Sequence, residues 1–405
     1  MNRLIRQSLR IIAAMLLVLN TGCWSSQEIE DLSIVVGLGL DVANESKFER
    51  DIAKQGGAYP KRNVLTATVQ IVPPISGRGQ RQGQGQGQSQ GGSSGGKAYL
   101  NEKLTGDSIF QIFRQFSVRR DRPLVGHHLK VIVVASDLAK QYSLEQIFDF
   151  ILRDNDIRPS CLVVVSHRDA IEALSSSEPG EIPAFYLTGL VNNQYRSNKI
   201  LPPVTLIKLD STMQSGTSFL LQNVVTYNGE HKFSGAAIFK GSSKKWIGEL
   251  TQFDVEGLSW IRGDIHGGVL KAYAPGGYTV TYEMRDSSSK IIPKVKDGEI
   301  SFHIKMKSEG RLIEDWSFPE IPSTEGYLKE MEKVFEKQAS KQIDQVLHKM
   351  QHVYHVDVGG FDKELQIKHP KLWKEIKDQW DDTFSRIPIT YEIDIKITDA
   401  GSSTD

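Results

Sequence analysis

The stretch HLKVIVVAS, His128–Ser136, decides the fold class. Its run of apolar and β-branched residues reads as a buried strand. Further on, SLEQIFDFILRD (Ser143–Asp154) reads as a helix. Ser143 and Gln146 form a capping box there, and Leu144, Ile147, Phe148, Ile151 and Leu152 make an apolar stripe at helical spacing. CLVVVS (Cys161–Ser166) returns to strand, and HRDAIEALSS (His167–Ser176) returns to helix. Strand and helix alternate, so this part of the chain mixes α and β.

Toward the N-terminus, LSIVVGLGLDV (Leu32–Val42) and NVLTATVQIV (Asn63–Val72) read as two more strands, the second stopped by Pro73-Pro74. The tract GRGQRQGQGQGQSQGGSSGGK, Gly77–Lys97, holds no apolar residue. It cannot offset the entropy of ordering its backbone, so a disordered surface loop is expected. A helix follows near Asp107–Arg119, with Ile109, Ile112, Phe113 and Phe116 on one face.

Toward the C-terminus, the Pro-rich passage Glu178–Pro203 is expected to hold a domain boundary. Beyond it, FLLQNVVTYNGEHKFSGAAIFK (Phe219–Lys240) reads as strands joined at Asn228-Gly229, a hairpin turn. A short helix starts near Thr251, and Gly268–Asp315 is strand-rich with a second hairpin at Asp297-Gly298. The longest helix is expected from Ser323 to about His355, ~50 Å at 1.5 Å per residue. Its Leu328, Met331, Val334 and Phe335 should face a sheet. Lys368–Arg386, with Trp373 and Trp380, reads as helical, and Pro388–Thr398 closes the chain as a half-buried strand.

The 405 residues carry 49 basic and 49 acidic side chains, a balance that offers no electrostatic footprint for nucleic acid. The start is different in kind. Arg3, Arg6 and Arg10 precede a short apolar core, Ile11–Leu19, which is the pattern of a secretory signal and too short to span a bilayer. Thr21-Gly22 then leads into Cys23, which resembles a bacterial lipobox, with Asn20 where Leu is usual and Leu19 one step further out. Such a cysteine receives a diacylglycerol before the signal is cut away. The other reading is an ordinary signal peptide with a cysteine near its cleavage point. Lipidation of Cys23 would exclude a disulfide to Cys161, which itself reads as a small buried hydrophobe. After Leu19 no apolar run approaches spanning length.

Enzyme motifs occur only in form. GGSSG (Gly91–Gly95) fits the nucleophile elbow, but Gly and Gln flank it where a strand and a helix are needed. GGSSGGKA (Gly91–Ala98) fits a phosphate loop up to Ala98, where Ser or Thr should hold magnesium. His348, His352 and His355 fall at i, i+4 and i+7 of the long helix and could share a face toward a metal. The plainer reading is a solvated helix end, whose partial negative charge favours His and Lys. No catalytic residue, metal or cofactor is assigned.

Several segments, in order, are similar to the Ger(x)C family, the lipoprotein C subunits of spore germinant receptors. They are GCWSSQEIEDLSIVVGLGLD, HHLKVIVVASDLAK, ILRDNDIRPSCLVVVS, SGAAIFKGSSKKWIGEL and HVDVGGFDKELQIKHPKLWKEIKDQWDDTF, with Asp362 where Gly is common. The resemblance implies a lipid on Cys23, an α+β fold of three mixed α/β domains and no catalytic site. It also implies assembly with A and B membrane subunits at the spore inner membrane, where nutrients trigger germination. Expected divisions are a lipoprotein signal peptide over 1–22, an N-terminal domain over 23–200, a middle domain over 201–275 and a C-terminal domain over 276–405. The residues alone also admit an extracytoplasmic solute-binding lipoprotein of a transport system. One expectation is independent of either reading. Loop closure costs only about 0.6 kcal/mol per doubling of length, so deleting most of Gly77–Lys97 should leave the melting temperature nearly unchanged. A large fall would contradict the reading of that tract.

Overall fold

In the computed structural model, which describes residues 31–73, 97–317 and 324–399, the strands gather into two sheets. The first has nine strands: β1 (Ser33–Val42), β2 (Leu65–Val72), β3 (Leu100–Gly106), β4 (Leu124–Val125), β5 (Val131–Ala135), β6 (Leu162–Ser166), β7 (Phe219–Tyr227), β8 (Glu230–Phe239) and β9 (Trp246–Leu250). Their order is β3-β2-β1-β5-β6-β7-β8-β9, with the short β4 beside β1. β1, β5, β6 and β7 run parallel at the centre, and antiparallel strands flank them. Helices cover this sheet: α1 (Lys47–Lys54), α2 (Ile109–Ser117), α3 (Ser136–Gln141), α4 (Leu144–Arg153), α5 (Ala170–Ala173), α6 (Pro183–Val191) and α7 (Leu206–Ser215). Every residue of β5 and β6 is buried, as a parallel sheet covered on both faces requires.

Helix α8 (Gln252–Arg262) leads to the second sheet, β10 (Gly268–Tyr273), β11 (Thr279–Lys296), β12 (Glu299–Asp315) and β13 (Ile389–Asp399), in that order. β13 lies parallel to β12 and the other pairs are antiparallel. Helix α9 (Glu325–His348) packs against this sheet, followed by α10 (Phe361–Lys368), α11 (Pro370–Ile376) and α12 (Trp380–Phe384). Both hairpin turns are formed where the sequence marks them. Asn228 and Gly229 have φ of 50° and 79°, and Asp297 and Gly298 have 52° and 84°. Two consecutive positive φ values are what a two-residue type I′ turn demands.

The hairpin β7–β8 belongs to both halves. Phe219, Leu221, Ala237 and Phe239 enter the core under the first sheet, while Leu220, Ala236 and Ile238 enter the second core. The division expected at residue 200 falls between β6 and β7, which pair Val165 with Asn223. That expected at residue 275 falls between β10 and β11, which pair Tyr273 with Thr279.

Several local readings need correction. β3 carries Asn101, Glu102 and Lys103 at the sheet's edge, so it lacks the apolar signature of an inner strand. The Pro-rich passage contains α6, which Pro183 opens from its first turn. The helix expected over His167–Ser176 is only the four residues of α5, and Asp41 of β1 accepts the Ala170 N–H at its start. Lys368–Arg386 is helical in pieces: a 3-10 turn, Lys377–Gln379, joins α11 to α12, and His369, ahead of Pro370 with φ −133° and ψ 62°, separates α10 from α11. The long helix begins at Glu325, not Ser323, which lies outside the described residues. Its α-helical part ends at His348, giving ~36 Å rather than ~50 Å, and a π-helical turn, Lys349–Val353, follows. Met331 and Phe335 are buried as expected, and Leu328 and Val334 are partly so. Cys23 and the Gly/Gln tract up to Gly96 lie outside the described residues.

The junction of α8 and α9 is tight. A Cβ at Gly257 would stand 2.2 Å from the Gln342 carbonyl oxygen. Alanine favours helix by about 1 kcal/mol over glycine, yet overpacking a closed contact costs about 1–3 kcal/mol and occasionally more. Gly257→Ala should therefore lose stability, by about 2 kcal/mol in urea titration. A variant as stable as the parent would show that the two helices can part freely.

Candidate functional site

The turn after α9 gathers a buried polar cluster. Tyr354 N–H donates to Lys349 O and Val356 N–H to Met350 O, which closes the π-helical end and turns the chain toward Asp357. Asp357 is 3 % exposed. Its Oδ1 accepts from Gly359 N (2.8 Å) and Gly360 N (3.1 Å), and its Oδ2 from Asp362 N (2.7 Å) and Trp380 Nε1 (3.0 Å). Gly360 sits at φ +91°, a left-handed position that glycine adopts without strain, and it opens α10.

Two tethers hold this turn to the rest of the molecule. Arg262, the last residue of α8, donates to Val358 O from Nε (2.9 Å) and Nη2 (2.5 Å). Asp381 of α12 accepts the Asp357 N–H (3.3 Å) through Oδ1 and the Ser218 hydroxyl (2.9 Å) through Oδ2, and Ser218 in turn accepts the Gly241 N–H (3.0 Å). Ser218 immediately precedes β7, so the acid turn ties the helices of the second sheet to the shared hairpin. Between this turn and α7 opens a cleft of about 1000 Å³, lined among others by Lys208, Arg262, Ser289, Asp362 and Lys363.

Burial raises the pKa of both Asp357 and Asp362. At Asp357 the four donors oppose that shift, whereas at Asp362 the neighbouring Asp357 charge adds to it and the pKa reaches about 7. The pair therefore holds a proton more tightly than an ordinary carboxyl does. Burial likewise raises Asp381, against the Ser218 hydrogen bond. Asp357 and Asp381 hold backbone N–H groups, the Trp380 indole and the Ser218 hydroxyl, which makes the cluster a clamp.

The other candidates do not converge. His348, His352 and His355 are all exposed. The first two rings stand 5.1 Å apart, but His355 lies beyond the π-helical turn at φ 51°, out of helical phase. Among the described residues no group of three His, Cys, Asp or Glu side chains is placed to hold a metal ion. His127 pairs with Asp156 at 3.3 Å. Cys161 is a free, buried thiol whose pKa burial pushes up, so it is unreactive. Cys23 and the GGSSG stretch lie outside the described residues. Sequence reasoning missed Arg262, Ser218 and Asp381; only the Asp357-Val-Gly-Gly-Phe-Asp362 spacing was a visible signal, as an acid able to cap its own turn.

Among the described residues no helix is long and apolar enough to cross a membrane. A two-sheet α+β body with a polar clamp at its junction is a class that the comparisons make specific: the chain belongs to the spore germination GerAC-like family. Residues 25–226 match the spore germination protein N-terminal domain, and residues 234–401 match the spore germination B3/GerAC-like C-terminal family. It is 43 % identical to spore germination protein YndF of Bacillus subtilis (strain 168) over 97 % of this chain and 96 % of that one. It is 29 % identical to spore germination protein B3 of the same organism over 94 % of each chain. The crystal structure of the GerBC protein matches with a TM-score of 0.59 at 26 % identity, covering 92 % of this chain and 100 % of that chain.

The buried acid pair has a pH signature. Because Asp362 is raised above an ordinary carboxyl, the native state keeps a proton that the unfolded chain releases from about pH 4 upward. Its effect is a loss of stability as pH rises from about 4 to about 7, complete above that range. Asp362→Asn removes this component. Between pH 5 and 8 the variant should lose less thermal stability than the parent. Asp41, raised to about 6 by burial, contributes equally to both chains and cancels in the difference. Parallel curves would show that Asp362 is ionised throughout.

Proposed function

We propose that this chain is the lipid-anchored, non-catalytic C subunit of a nutrient germinant receptor and is needed for spore germination. The observation that carries the reading is family membership over nearly the whole described chain. Asp357 fits it, since its carboxylate accepts from three backbone N–H groups and the Trp380 indole and so holds a turn in place. Acylation of Cys23, on the extracytoplasmic face of the cell or spore inner membrane, would hold the body beside the integral A and B subunits. Confinement to one surface raises the effective concentration of those partners, so a modest interface suffices. The units read as 23–200, 201–275 and 276–405 would move together, because β7–β8 supplies side chains to both cores.

The cleft beside Asp362 favours a second reading, a solute-binding lipoprotein of a transport system. Saturable binding of a small molecule by the isolated chain, without membrane partners, would support that one. The test of the first is co-purification from spore inner membranes, with the parent beside Cys23→Ala. The parent should bring two integral membrane proteins and begin at an acylated Cys23, and the variant should lose both. If the parent emerges alone, and spores lacking the gene germinate normally with every nutrient, the receptor reading is wrong.

A further inference from the structure

The chain enters the fold at the end of α2. Ser33 N–H donates to Pro123 O (2.9 Å), its Oγ donates to Arg122 O (3.2 Å), and Arg120 Nε donates to that Oγ (3.3 Å). Cys23 lies ten residues earlier, so a group attached there stays within about 35 Å of this point even on a fully extended chain.

The face around this entry is unlike the average surface. The whole chain balances 49 cations against 49 anions, but residues 45–62 and 97–122, which build this face, carry eleven Lys and Arg against six Asp and Glu. Four of those acids are already paired within the face, Glu45 and Glu49 by Lys61 (3.0 and 3.1 Å), Asp51 by Lys54 (3.6 Å) and Glu102 by Arg120. The surplus of positive charge comes with exposed apolar side chains. Along α2 run Phe110, Arg114 and Val118, with Val118 82 % exposed, and Phe48 of α1 stands beside them. Arg119 covers the Phe48 ring at 4.2 Å and Arg114 the Phe110 ring at 4.9 Å. Phe48, Ile52, Leu104 and Val118 border a hollow of about 500 Å³. Rings at headgroup depth with guanidinium groups beside them suit the boundary of an anionic bilayer, where each cation contributes attraction that salt screens.

We propose that the α1–α2 face rests on an anionic lipid surface, so that anchor and patch together set which way the body faces. The tether length rests on the reading of Cys23 as acylated; the charge and the exposed rings do not. Residues 24–405 keep every described residue and lack that cysteine. They should sediment with phosphatidylglycerol-containing vesicles and leave phosphatidylcholine vesicles in solution. Arg114→Gln and Arg119→Gln should each lower the partition about fivefold, with unchanged circular dichroism.

The deciding measurement uses the acylated chain on the same vesicles, with a polarity-sensitive dye on Val118→Cys. Buried Cys161 stays unlabelled. The reference is Tyr227→Cys, exposed at the end of β7, the opposite end of the parallel strands from Ser33. The dye at 118 should be quenched by a lipid-borne quencher and the dye at 227 should not. A dye at 118 that stays in water, or that is shielded only once integral membrane subunits are added, overturns the proposal. Binding of residues 24–405 to anionic vesicles, with Cys23 unmodified in the native chain, would fell the anchor reading and leave the patch standing.

Discussion

Two hydrophobic cores depend on one strand pair. In β7–β8 neighbouring side chains point to opposite faces, so Phe219 and Leu221 serve one core while Leu220 serves the other. A slip of one residue would send every side chain into the wrong core. The register is held at one end by the Asn228-Gly229 turn and in the middle by Gln222, whose amide donates to Gly235 O (2.8 Å) and accepts from Leu201 N (2.8 Å). Either half repacked alone would strip side chains from the other.

Everything beyond that hairpin is fastened by polar groups at points where backbones come too close for side chains to fill the space. Gly257 lets α8 touch α9, and Gln342 bridges them, donating to Glu256 and accepting from Trp260 Nε1 (3.3 Å). Asp254 caps α8 and also receives Gln345 from α9 and Lys349 from the π-helical turn after it. Burial alone would raise its pKa, but these donors outweigh it and hold it below the ordinary carboxyl value. Asp357 likewise accepts four donors at the turn into α10, but there burial prevails and its pKa stays raised. On the far side of the sheet, Glu332 and Glu336 of α9 accept the Ile397 and Ile395 N–H groups of β13. That edge strand therefore presents fewer free donors to another chain. Carboxylates spent in this way hold a shape; they are poorly available for chemistry.

The shared hairpin and the acid turn join the two sheets. Charge is distributed unevenly: the chain as a whole is neutral, while the face at its point of entry is basic.

Periodicity and turn chemistry made much of this legible from the residues. The buried strands β1, β2, β5 and β6, the capping box at Ser143, the helix start near Thr251 and both two-residue hairpins rest on local rules, and each is present. Edge strand β3 and helices α6 and α7 escaped because polar residues and prolines obscure the same rules. The candidate site was less legible still. Asp357 and its glycines sit together in sequence, but Ser218 and Arg262 reach them across 139 and 95 positions, counted from Asp357. What those two side chains do is set by where β7 and α8 pack. Local spacing could determine that a strand or a turn would form. Only the tertiary structure decided which backbone groups would be buried beside which acid, because desolvation makes each such group seek the partner that packing brings within reach.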